Sequence, residues 1–171
     1  MLKVVLMLVI SVSLLCVNAV SRTPPPPSVQ IEVMASEVSW TNQEFVGHAF
    51  ICISIPVNSG IKEDCYGFYP KTNSVAGFIG GPGLTDSEFK RNPSRFSRVT
   101  VSYKRPITDE QRRAILKLVD EWNTHAYKLT NQSCIDFVNS VAQKLEWKTP
   151  PRVVTDFPET FLKKLVKANG G

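Results

Sequence analysis

With 171 residues, 43% hydrophobic and 20% charged, the chain has material for one core of a size that folds without a metal or a disulfide framework. That hydrophobic content excludes an intrinsically disordered chain, and the formal charge of +5, or +4 without the leader residue Lys3, is a moderate bias toward anionic surfaces. The densest basic stretch, Lys90, Arg91, Arg95 and Arg98, carries Phe89 and Phe96 but no nucleic-acid motif, so no such partner is expected.

Residues 1–19 read as a secretory signal peptide: Lys3 precedes an apolar or small run from Val4 to Val17, and Val17 and Ala19 flank a cleavage point before Val20. The run is short for a membrane span, and no later stretch approaches about 18 consecutive apolar residues. Stable membrane insertion is therefore not expected, and the mature protein is expected to be secreted or periplasmic. Residues 20–28 follow as a proline-rich linker with Pro24 to Pro27, leaving 29–171 as a single, monomeric domain.

Val29, Ile31 and Val33 alternate with polar residues, as a first strand does. Phe45 to Ile55 is a long β-branched and aromatic run closed by Pro56 and the turn signal Asn58-Ser59-Gly60. Cys65 to Tyr69 is a second such run closed by Pro70, and the two read as a β-hairpin. Ala76 to Gly83 is glycine-rich but lacks the lysine and hydroxyl residue of a phosphate loop, so a mobile loop bordering a cleft is expected. Thr85-Asp86-Ser87-Glu88 has the form of a capping box and predicts a short helix that Pro93 ends. Phe96 to Tyr103 returns to strand character.

Helices dominate the remainder. Thr108 to Gln111 is a capping box ahead of Ile115, Leu118, Val119 and Trp122, which share one helical face. A second helix carries Ile135, Val138, Val141, Ala142 and Leu145, with Ser133 as N-cap and Cys134 as the first helical residue. A third begins near Pro158. Strands early and helices late predict an α+β fold, an antiparallel sheet packed by helices.

Once Cys16 is assigned to the signal, Cys52, Cys65 and Cys134 remain. In an oxidising compartment two of the three can pair, and the leftover thiol asks for an explanation. A thiol in the first turn of a helix faces unpaired N–H groups and the positive end of the helix dipole, which lowers its pKa. Cys134 is thus a candidate nucleophile, and equally a small buried hydrophobe on an amphipathic helix. If the hairpin pairs Cys52 with Cys65, its register sets His48 opposite Tyr69, with 48, 50 and 52 on one face. Of the two histidines, His125 lies at a helix end near Trp122, where a surface imidazole is favourable without any catalytic role. His48 follows a glycine inside an apolar strand and is either a satisfied core residue or the general base of Cys134.

Gly47-His48-Ala49-Phe50 on a strand, followed far downstream by Asn131-Gln132-Ser133-Cys134-Ile135-Asp136-Phe137-Val138 opening a helix, resembles the circularly permuted NlpC/P60 branch of the papain-like cysteine hydrolases. The likeness spans roughly residues 46–145, with Ser133 where that branch usually has asparagine. It implies a papain-like architecture and a cysteine amidase or endopeptidase acting on peptides of bacterial cell-wall peptidoglycan, with no cofactor and no metal. Cys134 would be the nucleophile, His48 its base, and the backbone N–H of Cys134 an oxyanion donor. The third, imidazole-orienting residue would be Tyr69, with Asn73 as the fallback. Permuted relatives also imply an alternative, an LRAT-like lipid acyltransferase or phospholipase, for which the last helix, with Lys163, Lys164 and Lys167, is the only membrane-surface candidate. A third reading is a non-catalytic secreted binding module, in which a glycan on the Asn131-Gln132-Ser133 sequon would crowd Cys134.

Overall fold

Two β-branched runs joined by a tight polar turn have little choice but to pair. In the computed structural model, which describes residues 28–38 and 47–171, they do so as a hairpin. The strands are β1 (Gln30–Ser36), β2 (His48–Val57), β3 (Gly60–Pro70), β4 (Gly80–Ser87), β5 (Val99–Pro106) and β6 (Ala126–Lys128). They form one antiparallel sheet in the order β5-β1-β2-β3-β4-β6. Cys52 stands opposite Cys65, and the two are disulfide-bonded. The signal segment and most of the proline linker lie outside the described residues, as do Phe45 and Val46.

The helices are α1 (Val75–Ile79), α2 (Glu88–Arg91), α3 (Asp109–Trp122), α4 (Cys134–Lys144) and α5 (Pro158–Ala168), with a 3-10 helix over Pro93–Arg98. Thr108 and Gln111 close a reciprocal capping box on α3, and Ser133 and Asp136 do the same on α4. Ile115, Val119 and Trp122 of α3 and Ile135, Val138, Val141 and Ala142 of α4 are buried at helical spacing. With Phe161, Leu162 and Leu165 of α5 they cover one face of the sheet, made by Ile31, Val33, Ala49, Ile51 and Phe68 among others. The apolar side of α5 is thus consumed by the core, which leaves that helix no apolar face for a membrane surface. No helix among the described residues is long and apolar enough to cross a membrane.

The opposite face carries a smaller cluster, Met34, Phe50, Cys52 and Cys65, roofed by Phe96 of the 3-10 helix. This side departs from the sequence expectations. The glycine-rich segment is no loop: it supplies α1, whose C-cap is Gly80 at φ 146°, and then β4. Thr85 does not cap a helix, because long-range partners claim it. It lies opposite Phe68 in the β3–β4 ladder, its N–H donates to Asn123 Oδ1 at 2.9 Å and its hydroxyl donates to the Val119 carbonyl at 2.9 Å. The helix begins at Glu88 instead. Phe96 to Arg98 likewise stay in the 3-10 turn that Pro93 opens, so β5 starts at Val99.

Candidate active site

Cys134 is the first residue of α4 because Ser133 stops the chain in an extended conformation and caps it. The Ser133 hydroxyl accepts from Ile135 N–H at 3.3 Å, while Asp136 Oδ2 accepts from the Ser133 N–H at 2.7 Å and from its hydroxyl at 3.1 Å. Arg152 donates to the same Asp136 oxygen and to the Leu129 carbonyl at 2.6 Å, pinning the loop before α5 to the start of α4. Cys134 is a buried free thiol.

His48 opens β2, across the ladder from Ser36 of β1. The residue before it must be glycine: Gly47 has φ 72°, and a Cβ there would come within 2.6 Å of the Ser36 carbonyl oxygen. The imidazole lies against the thiol, close enough that each shifts the other's pKa, and the Ala49 N–H favours the thiolate. The other side of the ring is held by Glu88, whose Oε1 accepts from His48 Nε2 at 3.1 Å, leaving Nδ1 for Cys134.

Glu88 is fully buried, which a carboxylate tolerates only with full pairing. Its oxygens accept from Arg95 and from the Tyr69 hydroxyl, and Arg95 donates to the Tyr69 oxygen as well. Arg95 is itself buried, so the basic stretch of the sequence is not a continuous surface patch. Gly67 on β3 makes the cluster possible, since a Cβ there would overlap both Glu88 Oε1 and His48 Nε2.

These contacts set the charges. Burial opposes ionisation of Cys134, but the His48 charge and hydrogen bond, the Ala49 N–H and Arg95 outweigh it, and the thiol pKa falls below its ordinary value. Burial and Arg95 likewise oppose the imidazolium of His48, yet Glu88 and Cys134 together carry its pKa above 6.5. Glu88 remains ionised below the usual carboxylate range despite its burial, held there by His48, Arg95 and Tyr69. Among the described residues, thiolate pairs with imidazolium and carboxylate with guanidinium, so each buried charge has an opposite one beside it. That is the condition under which buried charges are tolerable.

The structure brings together all three site residues expected from sequence, with one change of role. Tyr69 stacks on the His48 ring at 4.4 Å and 18° between planes, and its hydroxyl goes to Glu88 and Arg95. It reaches the imidazole by its face, and Glu88 is the hydrogen-bonding partner. Asn73 is exposed in the turn after β3. His125 stacks on Trp122 and donates from Nδ1 to the Glu121 carbonyl at 3.1 Å, on another part of the sheet. Sequence reasoning missed Glu88, Arg95 and Tyr127. The buried Tyr127 lies beside Cys134, and burial and that thiol raise its pKa well above 10.0. Gly67 in mid-strand was the one sequence signal that something approaches there.

Beside Cys134 a cavity of about 140 Å³ opens between the start of α4, Leu129 and the 154–158 segment that leads into α5. The chain matches no protein-family model, no curated protein and no solved structure, so what this site does is argued from its geometry.

Proposed function

We propose that the protein is a secreted cysteine amidase or endopeptidase that cleaves amide bonds of bacterial cell-wall peptidoglycan through an acyl-enzyme. The observation that carries this reading is the buried relay from Cys134 through His48 to Glu88, at the start of a capped helix. An inert core cysteine has no use for an ionised histidine and carboxylate behind it, each of which is costly to bury.

In the reaction, Cys134 Sγ attacks the amide carbonyl carbon, and the carbonyl π electrons move onto oxygen. The Cys134 amide, at the α4 N-terminus where the helix dipole favours negative charge, would donate to that oxyanion, with Tyr127 beside it. The C–N bond then breaks as His48 Nδ1 delivers its proton to the leaving amine. Water enters, gives a proton back to His48 and attacks the thioester, the C–S bond breaks, and a carboxylic acid is released. Glu88 holds the ring so that Nδ1 faces sulfur throughout and stabilises the imidazolium.

The Cys52–Cys65 disulfide fits an oxidising compartment outside the cytoplasm, and the excess of basic residues fits an anionic wall. Digestion of purified peptidoglycan by the wild-type protein and by Cys134→Ala, with analysis of the fragments, tests the reading. New amines released by the wild type alone support it. No amine release, together with cleavage of lipid esters that depends on Cys134, overturns it in favour of a lipid-directed enzyme.

A further inference from the structure

The capping box that makes Cys134 the first residue of α4 also creates a conflict. Asp136 Oδ2 accepts from the Ser133 N–H at 2.7 Å and from its hydroxyl at 3.1 Å, so a carboxylate sits in the first turn of the helix. A negative charge there suits the helix dipole, but it opposes a second negative charge on the sulfur of Cys134, two residues earlier. The device that builds the site works against the thiolate that the reaction needs.

Arg152, in the segment between α4 and α5, answers that conflict. Its guanidinium donates to the same Asp136 oxygen, and Nη2 donates to the Leu129 carbonyl at 2.6 Å. The side chains of the pair are only 10% and 20% exposed, so the two charges act on each other with little screening. Burial draws the Arg152 pKa down, and the Cys134 charge is the strongest of the influences that hold it up, ahead of Tyr127 and Asp156. Guanidinium and sulfur are thus coupled. Among the described residues the Arg152 Nε–H is buried with no hydrogen-bond partner. A tie that only braced a loop would be made as well by neutral groups, with no buried charge and no idle donor.

We propose that Arg152 is a positioning residue of the reaction: through Asp136 it cancels the charge of the cap, and through Leu129 it holds the chain ahead of α4, so that Cys134 keeps a capped helix start and an ionised sulfur together. The inference rests on the reading of Cys134 as the nucleophile and adds a residue that acts through another side chain. The charged and titratable groups around the sulfur are His48 of β2, with Glu88 and Tyr69 behind it, Arg95 of the 3-10 helix, Tyr127 of β6, Asp136 of α4, and Arg152 and Asp156 of the segment into α5. Lys164 in turn holds Asp156. Of the cations near the sulfur, His48 can lose its proton near neutrality, whereas the guanidinium charge of Arg152 stays fixed.

Alkylation of Cys134 by iodoacetamide, followed by mass spectrometry from pH 4 to 9, reads the thiolate without any substrate. The wild type should reach half its limiting rate below the ordinary thiol value of 9.0. Arg152→Met leaves the Asp136 charge uncompensated, so its profile should move to higher pH, with a rate below the wild-type midpoint that falls by about three- to tenfold. Arg152→Lys keeps a cation and should track the wild type. Asp136→Asn preserves an acceptor for the Ser133 N–H. Alone it should move the profile to lower pH, and combined with Arg152→Met it should return the profile close to that of the wild type. A profile unmoved in Arg152→Met despite a lower urea midpoint would make the residue a brace and overturn the proposal. So would Arg152→Lys behaving as Arg152→Met, or a double variant that stays with Arg152→Met. If Arg152→Met does not fold, Asp136→Asn decides alone, and an unmoved profile there overturns the proposal. These outcomes leave the amidase reading standing, whereas a wild-type midpoint at or above 9.0 would overturn both.

Discussion

The two faces of the sheet are built on opposite principles. Under α3, α4 and α5 the face is apolar from Ile31 and Val33 to Phe137, Phe161 and Leu165, interrupted at the start of α4 by Cys134 and Tyr127. Under the 3-10 helix a small patch of Met34, Phe50 and the disulfide gives way, at the start of β2, to His48, Glu88, Arg95 and Tyr69. Apolar packing is non-directional and tolerates repacking, whereas a buried charged network is stable only while every member is present. The first face accounts for the fold; the second fixes one orientation of one imidazole.

The largest expected effect lies in the second face and in the chemistry. His48→Ala should lower turnover of a peptidoglycan or peptide substrate by about 10⁴-fold, the scale seen when one member of a nucleophile–base unit is removed. His125→Ala, on a partly exposed ring stacked on Trp122, should leave turnover unchanged. Equal losses in the two variants would end the distinction between the faces as far as function goes.

Stability gives the next test. Phe161→Ala, in the apolar face, should cost about 3–5 kcal/mol in urea unfolding through lost burial and a cavity. Glu88→Gln should cost a similar 3–5 kcal/mol for a different reason, since it removes the carboxylate charge that both Arg95 and His48 donate to. The double variant Glu88→Leu, Arg95→Leu separates the two causes. If the network is the penalty, the double variant regains much of the stability lost in Glu88→Gln but none of the activity. Gly67→Ala should resemble Glu88→Gln more closely than its size suggests, because the added methyl lands between the carboxylate and the imidazole.

The disulfide sits between these extremes. Replacing both Cys52 and Cys65 by alanine opens a loop with a sequence separation of 13, worth about 3 kcal/mol of unfolded-state entropy. Turnover per folded molecule should hold, because the bridge lies two residues beyond Phe50 and packs with Met34 and Phe50 in the apolar patch. A catalytic loss far beyond the stability loss would mean that the bridge positions His48.

The same contrast decides what was legible in the sequence. Helices α3, α4 and α5 follow from caps and apolar spacing within a dozen residues, and the hairpin register follows from one pairing of Cys52 with Cys65. From that register Tyr69 was rightly set beside His48. Glu88 was not legible as a partner, because its contact with His48 spans 40 residues and passes over Gly67. The local signal Thr85-Asp86-Ser87-Glu88 pointed to a helix cap, whereas Thr85 answers to Asn123 and Val119, more than 30 residues away. Local rules read the apolar face well, and the polar face is assembled by long-range pairs that no local rule sees.

The smallest effect, and the most specific to the network, is in the pH dependence. Activity requires the thiolate and the imidazolium together, and the two protons belong to a coupled pair. The profile of kcat/KM should therefore be a bell whose acid limb lies below the ordinary thiol value of 9.0 and whose alkaline limb lies above the ordinary imidazole value of 6.5. Glu88 holds the His48 pKa up, so Glu88→Gln should draw the alkaline limb to lower pH. Stability should respond with the matching signs. The Glu88 pKa is lowered in the folded state, so its contribution is fully present above 4.5 and is lost as pH falls through the folded value. The His48 pKa is raised, so its contribution is complete below 6.5 and is lost as pH rises through its folded value. Urea midpoints of the wild type and Glu88→Gln between pH 3 and 9 should converge at the acid end and diverge above it. Parallel midpoints across that range would mean that the Glu88 charge does no work in the fold, and the polar face would then differ from the apolar one only in composition.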